Sequence, residues 1–341
     1  MTMIALDAMG GDFAPRAPVE AVSRALRDPT RQVTLVGDLA QVEKEVRRFH
    51  LAHSGVRLVH TPECVTPTDP ATVLLREKPR ASLRLAFELV RDGQAQAVVS
   101  AGNSGALMIA GKHVLGTLPG VERPAIATHL PLKRGVSLLL DSGANVDCKP
   151  GYLLQFARMG RVYAQTVLGR DTPRIALLSN GGEEGKGNEL VRQAYTLFQQ
   201  EVEGFIGNLE PRDLFRGKAD VIVCDGFVGN LVLKTAEAAG AHLRMFIRDT
   251  GFRHPLAWLG LRLIRDPMAE LSRRTDPREV GGSLLLGVNG VAVVAHGGSN
   301  AHALNNALGQ AQRCVETGLV EALKHTFENH PDSSPGRQVS G

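Results

Sequence analysis

Short apolar runs alternate with amphipathic stretches along most of the chain. The runs are apolar on both faces, as in strands buried inside a parallel sheet, and lie at residues 32–36, 56–59, 95–100, 136–141, 174–179 and 219–225. Helical periodicity marks residues 15–26, 39–49, 81–91, 104–115, 151–167 and 188–200. This alternation predicts crossover units, and therefore an α/β fold with a mainly parallel sheet.

The first apolar run ends in a glycine pair flanked by acidic residues, within the sequence Asp7-Ala8-Met9-Gly10-Gly11-Asp12-Phe13-Ala14-Pro15. Glycines allow backbone N–H groups to approach a bound anion, and Pro15 can begin a helix whose positive end faces the same place. The pattern favours a phosphate or a phosphorylated ligand. The same residues also fit a tight turn between strand and helix, with Asp12 as the helix cap.

Small and polar residues recur where other predicted strands end. They occupy residues 100–103, 141–145, 180–182, 225–226 and 296–299. In an open parallel sheet the ligand crevice lies beyond the carboxyl ends of the strands, so these segments are expected to converge on one site.

Three lysines lie near predicted helix starts, namely Lys149, Lys186 and Lys234. A lysine there can pair with an anion that backbone N–H groups also hold, although a solvated surface lysine fits each position too. Lys186 differs from the others because glycines flank it on both sides.

Composition narrows the class of protein. The chain has 341 residues, 43% of them hydrophobic, and a formal net charge of +4, which does not indicate nucleic acid as a partner. Its four cysteines lie far apart, so neither a zinc site nor a disulfide framework is expected, and a reducing cytoplasm fits best. Neither a dinucleotide-binding glycine motif nor a P-loop occurs, and we predict no cofactor and no metal.

Residues 7–15 resemble the corresponding residues of the bacterial phosphate acyltransferase family. The resemblance continues through Ser100-Ala101-Gly102-Asn103-Ser104-Gly105-Ala106-Leu107 and through residues 141–150, 186–190, 225–230 and 295–297. Departures are Ser179-Asn180-Gly181, Ser142, and the Gly297-Gly298-Ser299 that follows His296. The resemblance implies a fold similar to that of isocitrate and isopropylmalate dehydrogenases.

The resemblance also implies a reaction and its partners. A long-chain fatty acyl group would pass from acyl-acyl carrier protein to inorganic phosphate, giving acyl phosphate for phospholipid synthesis. The resemblance also implies a homodimer and, as consumer of the product, a downstream membrane glycerol-phosphate acyltransferase. We expect the protein to be cytoplasmic and peripherally associated with the membrane. Phosphate is already charged and a thiol is a good leaving group, so direct attack without an acyl-enzyme is the expected mechanism.

Position and chemistry suggest roles for individual residues. Hypothetical catalytic residues are Asn103, Asn145, Lys186 and His296. Hypothetical phosphate- or substrate-binding residues are Gly10, Gly11, Asp12, Ser104, Lys149, Asn188, Asp225, Asn230, Lys234 and Ser299. Alternative structural roles are helix caps for Asp12, Ser104 and Asp225, and a buried core histidine for His296.

The segment at residues 252–267 concentrates apolar bulk between two prolines and contains the chain's one tryptophan. Leu256, Trp258, Leu259 and Leu263, with arginines beside them, suit a short helix lying on an anionic membrane or a partner. A core or dimer-interface helix fits the same pattern. We expect residues 1–330 to form one catalytic unit; an alternative is that this unit consists of two lobes that share one cleft. We expect residues 331–341 to be a disordered tail.

Two other functions remain alternatives. A metal- and NAD-dependent decarboxylating dehydrogenase would need clustered aspartates and a nucleotide site, neither of which is legible in the sequence. The second alternative is a non-catalytic scaffold at the membrane surface. It would require that the segment around Trp258 is needed for function and that the glycine-rich strand ends are not.

Overall fold

The computed structural model describes residues 1–51, 55–133, 135–253 and 281–329. Within these ranges eleven strands form one sheet in the order β3-β2-β1-β4-β11-β10-β5-β6-β9-β7-β8. The strands are β1 (Thr2–Asp7), β2 (Arg31–Gly37), β3 (Val56–His60), β4 (Ala97–Ser100), β5 (Ala125–Pro131), β6 (Val136–Leu140), β7 (Ile175–Leu178), β8 (Phe205–Leu209), β9 (Val221–Val223), β10 (Ser283–Leu286) and β11 (Val291–Val294).

Helices connect most of these strands. They are α1 (Arg16–Ala25), α2 (Leu39–Arg48), α3 (Val73–Arg76), α4 (Ser82–Arg91), α5 (Ser104–Ala110), α6 (Pro150–Thr166), α7 (Glu189–Glu201), α8 (Gly226–Arg253), α9 (Ala301–Glu316) and α10 (Leu319–Glu328). A π-helical turn, Gly111–Leu115, continues α5, and a short 3₁₀ turn, Pro211–Asp213, precedes β9. The predicted α/β class with a mainly parallel sheet is confirmed.

The sheet changes direction near its centre. Strand β11 is parallel to β4, but β10 is antiparallel to β11 and to β5, and β5 is antiparallel to β6. Strands β6, β9, β7 and β8 are then parallel to one another. Three successive antiparallel pairs reverse the chain direction, so β6–β9 run opposite to β1–β4 and β11.

Helices cover both faces of the sheet. Strand residues such as Leu6 and Leu140 pack in one apolar cluster with α1, α2, α6, α7, α9 and α10. On the other face, Val98 and Ile126 pack with α3, α4 and α5, while Leu139 packs in a separate cluster with the first turns of α8. Burial of the strands on both faces explains why they read as continuous apolar runs.

A buried polar pair lies under the centre of the sheet, where β5 meets α6. The Nε2 atom of His129 and the hydroxyl of Tyr163 are 2.9 Å apart, and His129 is 9% exposed. Burial, together with the nearby charge of Arg313, lowers the pKa of His129 to about 4. His129 is therefore neutral at physiological pH.

Candidate active site

Two edges of the sheet hold the strand ends. Gly10, Gly11, Asp12, Asn103, Ser104, His296 and Ser299 follow β1, β4 and β11 at what we call the first edge. Asn145, Lys149, Lys186, Asn188, Asp225, Asn230 and Lys234 follow β6, β7 and β9 at what we call the second edge. The two groups follow strands that run in opposite directions, but Val293 pairs with Leu284, Leu284 with Ala127, and Ala127 with Leu140, so the carboxyl ends of β11 and β6 lie at the same level of the sheet. That all these segments converge on one site stays a prediction.

Asp7 anchors the first edge. Its Oδ1 accepts a hydrogen bond from the Ser82 hydroxyl (2.7 Å), and its Oδ2 accepts one from the Ser100 hydroxyl (2.8 Å). Ser100 Oγ in turn accepts the Gly102 N–H (3.0 Å). Burial raises the pKa of Asp7, and these hydrogen bonds oppose the shift. The carboxyl group thereby ties β1, β4 and α4 together.

Gly10 and Gly11 lie directly against this network. A Cβ atom on Gly10 would stand 2.7 Å from Asp7 Oδ2 and 2.9 Å from the Gly102 nitrogen. Gly11 has φ +97°, and the next residue, Asp12, donates its N–H to the Gly297 carbonyl (2.8 Å). Close approach of the turns after β1, β4 and β11 therefore requires the two glycines, independently of any anion.

Asp12 and His296 both lie close to Gly298. A Cβ on Gly298 would be 3.7 Å from Asp12 Oδ2 and 3.5 Å from His296 Nδ1. The Gly298 N–H donates to His296 Nδ1 (3.1 Å), so the neutral imidazole carries its proton on Nε2. His296 is exposed and thus offers an N–H donor to solvent, while Ser299 behind it is buried.

Asn103, not Ser104, caps α5. Asn103 Oδ1 accepts the Ala106 N–H (3.1 Å), and its Nδ2 donates to the Asp69 carbonyl (3.3 Å). The cap explains why the helix begins here. Ser104 is exposed in the first turn, and its hydroxyl is not used as the cap.

The Asp141 carboxylate organises the second edge. Its Oδ1 accepts the N–H groups of Ile126 (3.0 Å), Gly143 (3.1 Å) and Ala144 (3.0 Å). Its Oδ2 accepts the N–H (2.7 Å) and the side-chain amide (2.9 Å) of Asn145. Burial raises the pKa of Asp141, and the surrounding donors oppose that shift. The side chain fixes the whole turn after β6.

Asn145 forms hydrogen bonds within the protein that hold this turn. Its Nδ2 donates to the Pro124 carbonyl (2.8 Å) as well as to Asp141, and its own carbonyl accepts the Gly226 N–H (2.7 Å). Both amide hydrogens are thus already used within the protein. In this arrangement Asn145 joins the β6 and β9 ends.

Residues at the start of α8 lie against the same turn. Asp225 Oδ1 accepts the Val228 N–H (2.8 Å), the geometry of a helix cap. Gly143 faces Asn230, since a Cβ on this glycine would be 3.6 Å from Asn230 Cβ. Lys234, one turn further along α8, and Lys149, immediately before α6, are both exposed.

Lys186 is an available cation at the end of β7. Its side chain lies over Gly181, where a Cβ would stand 2.7 Å from Lys186 Cγ. The residue is exposed, and within the part of the chain that the structure describes its ammonium group forms no ion pair. Asn188 caps α7, because its Oδ1 accepts the Val191 N–H (3.0 Å).

A cleft on the face of the sheet joins residues from both edges. It has a volume of about 330 Å³ and lies between α5 with its π-helical turn and the turn after β6. Ser104 and Gly105 come from the first edge, and Gly143 and Ala144 from the second, with Ile126 of β5 also lining it. Such a cleft between two halves of a fold is a common place for a ligand.

Sequence reasoning missed two residues of this cleft, Lys112 and His113. Both lie in the π-helical turn, are exposed, and line the cleft. π-Helical turns inside helices occur often at functional sites. The signal in the sequence was a basic pair following a stretch of small and apolar residues, residues 105–111.

The thiols near the second edge are not activated. Burial raises the pKa of Cys148 to about 12, and it raises that of Cys224 well above the usual value. A nucleophilic cysteine needs a lowered pKa, so neither side chain is a thiolate at neutral pH.

The proposed membrane-contact residues Leu256, Trp258, Leu259 and Leu263 lie outside the described residues, as does the tail. Among the helices that are described, none combines the length and the apolar character required to span a bilayer.

Comparison with protein families matches residues 2–322 to a family described as "Fatty acid synthesis protein". Similar curated proteins include the phosphate acyltransferase of Desulforamulus reducens, 46% identical over 330 residues that cover 96% of this chain and 98% of that protein. The phosphate acyltransferase of Geobacter sulfurreducens is 44% identical, covering 95% of this chain and 94% of that protein.

Solved structures with the same fold include EutD phosphotransacetylase from Staphylococcus aureus. It aligns with a TM-score of 0.62 at 16% identity, covering 92% of this chain and 94% of its own. A branched-chain phosphotransacylase from Enterococcus faecalis V583 aligns with a TM-score of 0.59 at 18% identity, covering 92% of this chain and 99% of its own.

Proposed function

Because this chain belongs to the phosphate acyltransferase family, we propose that it moves a long-chain fatty acyl group from acyl-acyl carrier protein to inorganic phosphate. The product is acyl phosphate, for use in phospholipid synthesis. The observation that carries the proposal is the 46% identity to a phosphate acyltransferase over 96% of the chain. The dehydrogenase and scaffold alternatives are not favoured, because neither accounts for a match of this extent.

The reaction needs no covalent acyl-enzyme. A phosphate oxygen attacks the thioester carbon, the carbonyl oxygen becomes an oxyanion, and the carbon–sulfur bond then breaks to release a thiolate that solvent protonates. The raised pKa values of Cys148 and Cys224 support this route, because neither of these two thiols is a thiolate that could attack first. The protein's contribution is to hold the two reactants together and to offset negative charge.

We assign the charge-offsetting roles to hydrogen-bond donors and cations near the strand ends. Lys186 binds phosphate, and His296 Nε2–H donates to phosphate or to the oxyanion; exposure of both side chains supports these roles. Lys149, Lys234 and Asn230 assist substrate binding from the second edge. The N–H group of Gly11, with Ser104, Asn188 and Ser299 as further donors, completes the set, whereas the N–H group of Gly10 hydrogen-bonds to Asp7 and shapes the turn.

Asn103, Asn145, Asp12 and Asp225 act by shaping this site. The first two are the remaining proposed catalytic residues, and their amides hold α5 and the turn after β6 in place. The two acidic residues would repel phosphate if they pointed at it, so they orient backbone or cations instead.

A direct assay tests the function. Purified protein is mixed with long-chain acyl-acyl carrier protein and inorganic phosphate, and the expected products are acyl phosphate and free carrier in equal amounts. An acyl group trapped covalently on the protein after acid quench would contradict the direct mechanism. Absence of acyl phosphate with folded protein would overturn the function itself.

We further propose peripheral membrane association through residues 256–263, with a homodimer as the working unit and a membrane glycerol-phosphate acyltransferase as the consumer of the product. The lipophilic acyl chain of the product and the apolar sequence around Trp258 support membrane association. Liposome flotation of a Trp258→Glu, Leu259→Glu variant tests it, and undiminished binding would count against this segment. We also retain, as proposals, one catalytic unit over residues 1–330 and a fold related to isocitrate and isopropylmalate dehydrogenases.

A further inference from the structure

We propose that Lys112 and His113 bind the phosphate group of the acyl donor's phosphopantetheine arm, and that the cleft beside them holds the arm itself. The proposal rests on the proposed function, since an acyl-acyl carrier protein presents its acyl group on such an arm. It gives the two basic residues of the π-helical turn a role in donor recognition.

The first step of the argument is separation. Ser104 and Lys112 both line the cleft, but eight residues of helix place them about 12 Å apart along its axis. The two ends of the cleft therefore offer space for two separate anions. The reaction brings two phosphate groups to the enzyme, the acceptor ion and the phosphate of the donor's arm, so a second set of cations has a ligand to bind.

The second step is the chemistry of the lining. Apolar side chains such as Met108, Ile109 and Ile126 line most of the cleft, with Lys112 and His113 as its cations. A neutral, partly apolar arm that carries a single anionic phosphate is complementary to such a surface. A compact inorganic anion would leave the apolar lining without a partner.

The third step is that the two basic side chains are free to bind. Both are exposed, and within the described residues neither takes part in an ion pair. The competing explanation is structural: both residues lie at the end of the helix, whose carbonyl groups carry partial negative charge that cations stabilise. A role limited to the helix end predicts a loss of stability, without any change in donor affinity.

Three donors with the same acyl chain separate these cases: acyl-acyl carrier protein, acyl-phosphopantetheine and acyl-pantetheine, which lacks the phosphate. For a Lys112→Met, His113→Gln variant we expect KM for the first two to rise about tenfold, with kcat, the KM for acyl-pantetheine and the unfolding midpoint unchanged. Lys44→Met, an exposed lysine of α2 remote from the cleft, serves as the matched control and should change nothing.

Three outcomes would overturn the proposal: unchanged KM values for every donor, an equal rise for acyl-pantetheine, or a rise only in the KM for inorganic phosphate. If the double variant fails to fold, Lys112→Met and Lys112→Arg replace it, with Arg expected to keep most of the affinity. Calorimetric titration with phosphopantetheine and pantetheine tests the site without turnover. Tighter binding of phosphopantetheine that the variant loses, together with no acyl phosphate from the wild type, would reject the function but keep the site.

Discussion

Replacement of Gly10 by alanine should destabilise the protein strongly. The new methyl group would stand 2.7 Å from Asp7 Oδ2, 2.8 Å from Ser100 Oγ and 2.9 Å from the Gly102 nitrogen. Carbon atoms do not approach oxygen or nitrogen that closely, so something must move. Two of the neighbours form a buried hydrogen bond, and the third is backbone of the turn after β4.

The magnitude follows from these contacts. Overpacking of a tight interior costs about 1–3 kcal/mol, and separating Asp7 from Ser100 would add about 1.5–3 kcal/mol because the acceptor is a carboxylate. Partial relaxation offsets some of this, so we expect the free energy of unfolding to fall by about 3 kcal/mol. That is roughly a hundredfold in the ratio of folded to unfolded protein.

Gly102→Ala is the matched control. Its Cβ would meet the same two side chains at 3.2 Å from Ser100 Oγ and 3.6 Å from Asp7 Oδ2, and we expect a loss below about 1 kcal/mol. Urea unfolding followed by circular dichroism measures both variants, and acyl phosphate formation below the transition reports on function. Equal unfolding midpoints for the two variants would refute the packing argument.

Three other predictions concern charge. Lys186→Met and His296→Gln should each lower kcat/KM at least about tenfold with an unchanged urea midpoint, and unchanged turnover in both would reject their assignments. Asp141→Asn should lower the free energy of unfolding by about 3 kcal/mol, because an amide nitrogen would replace an oxygen that accepts N–H donors; a loss below about 1 kcal/mol in urea unfolding would contradict this. The pKa of His129 is lower in the folded than in the unfolded chain, so stability should fall by roughly 3 kcal/mol as pH drops from 6.5 to about 4. His129→Gln should flatten that slope in urea unfolding at several pH values, and an unaltered slope would show that other groups cause it.

The sequence predicted individual elements better than their assembly. Helices α1, α2, α4, α6 and α7 lie within a residue or two of the predicted ranges, because apolar periodicity and caps such as Asp38 and Asn188 are local signals. Strands β5, β8 and β10 were not predicted. Two of them, β5 and β10, are the antiparallel strands at the centre, and pairing direction depends on tertiary contacts that no local pattern encodes.

The site was predicted in part for the same reason. Glycines and asparagines at strand ends were correctly singled out as special, but the contacts give Gly10 and Asn145 structural reasons for being there. Lys112 was missed because its importance comes from the cleft that α5 forms with the turn after β6. Lys112 lies eight residues into the helix that begins at Ser104, so the search for polar residues after strands could not single it out.

The turn after β6 has the form of an anion-binding turn whose anion is the chain's own Asp141 carboxylate. Backbone N–H groups of residues 143–145, which in other proteins cradle a bound phosphate, here all point at a carboxylate tethered to the same chain. A free phosphate would have to displace Asp141, which is present at high effective concentration, so these N–H groups are not available to the acceptor. Asp141 thus takes the place that an external anion would occupy, and the N–H groups of this turn stabilise the fold of the chain.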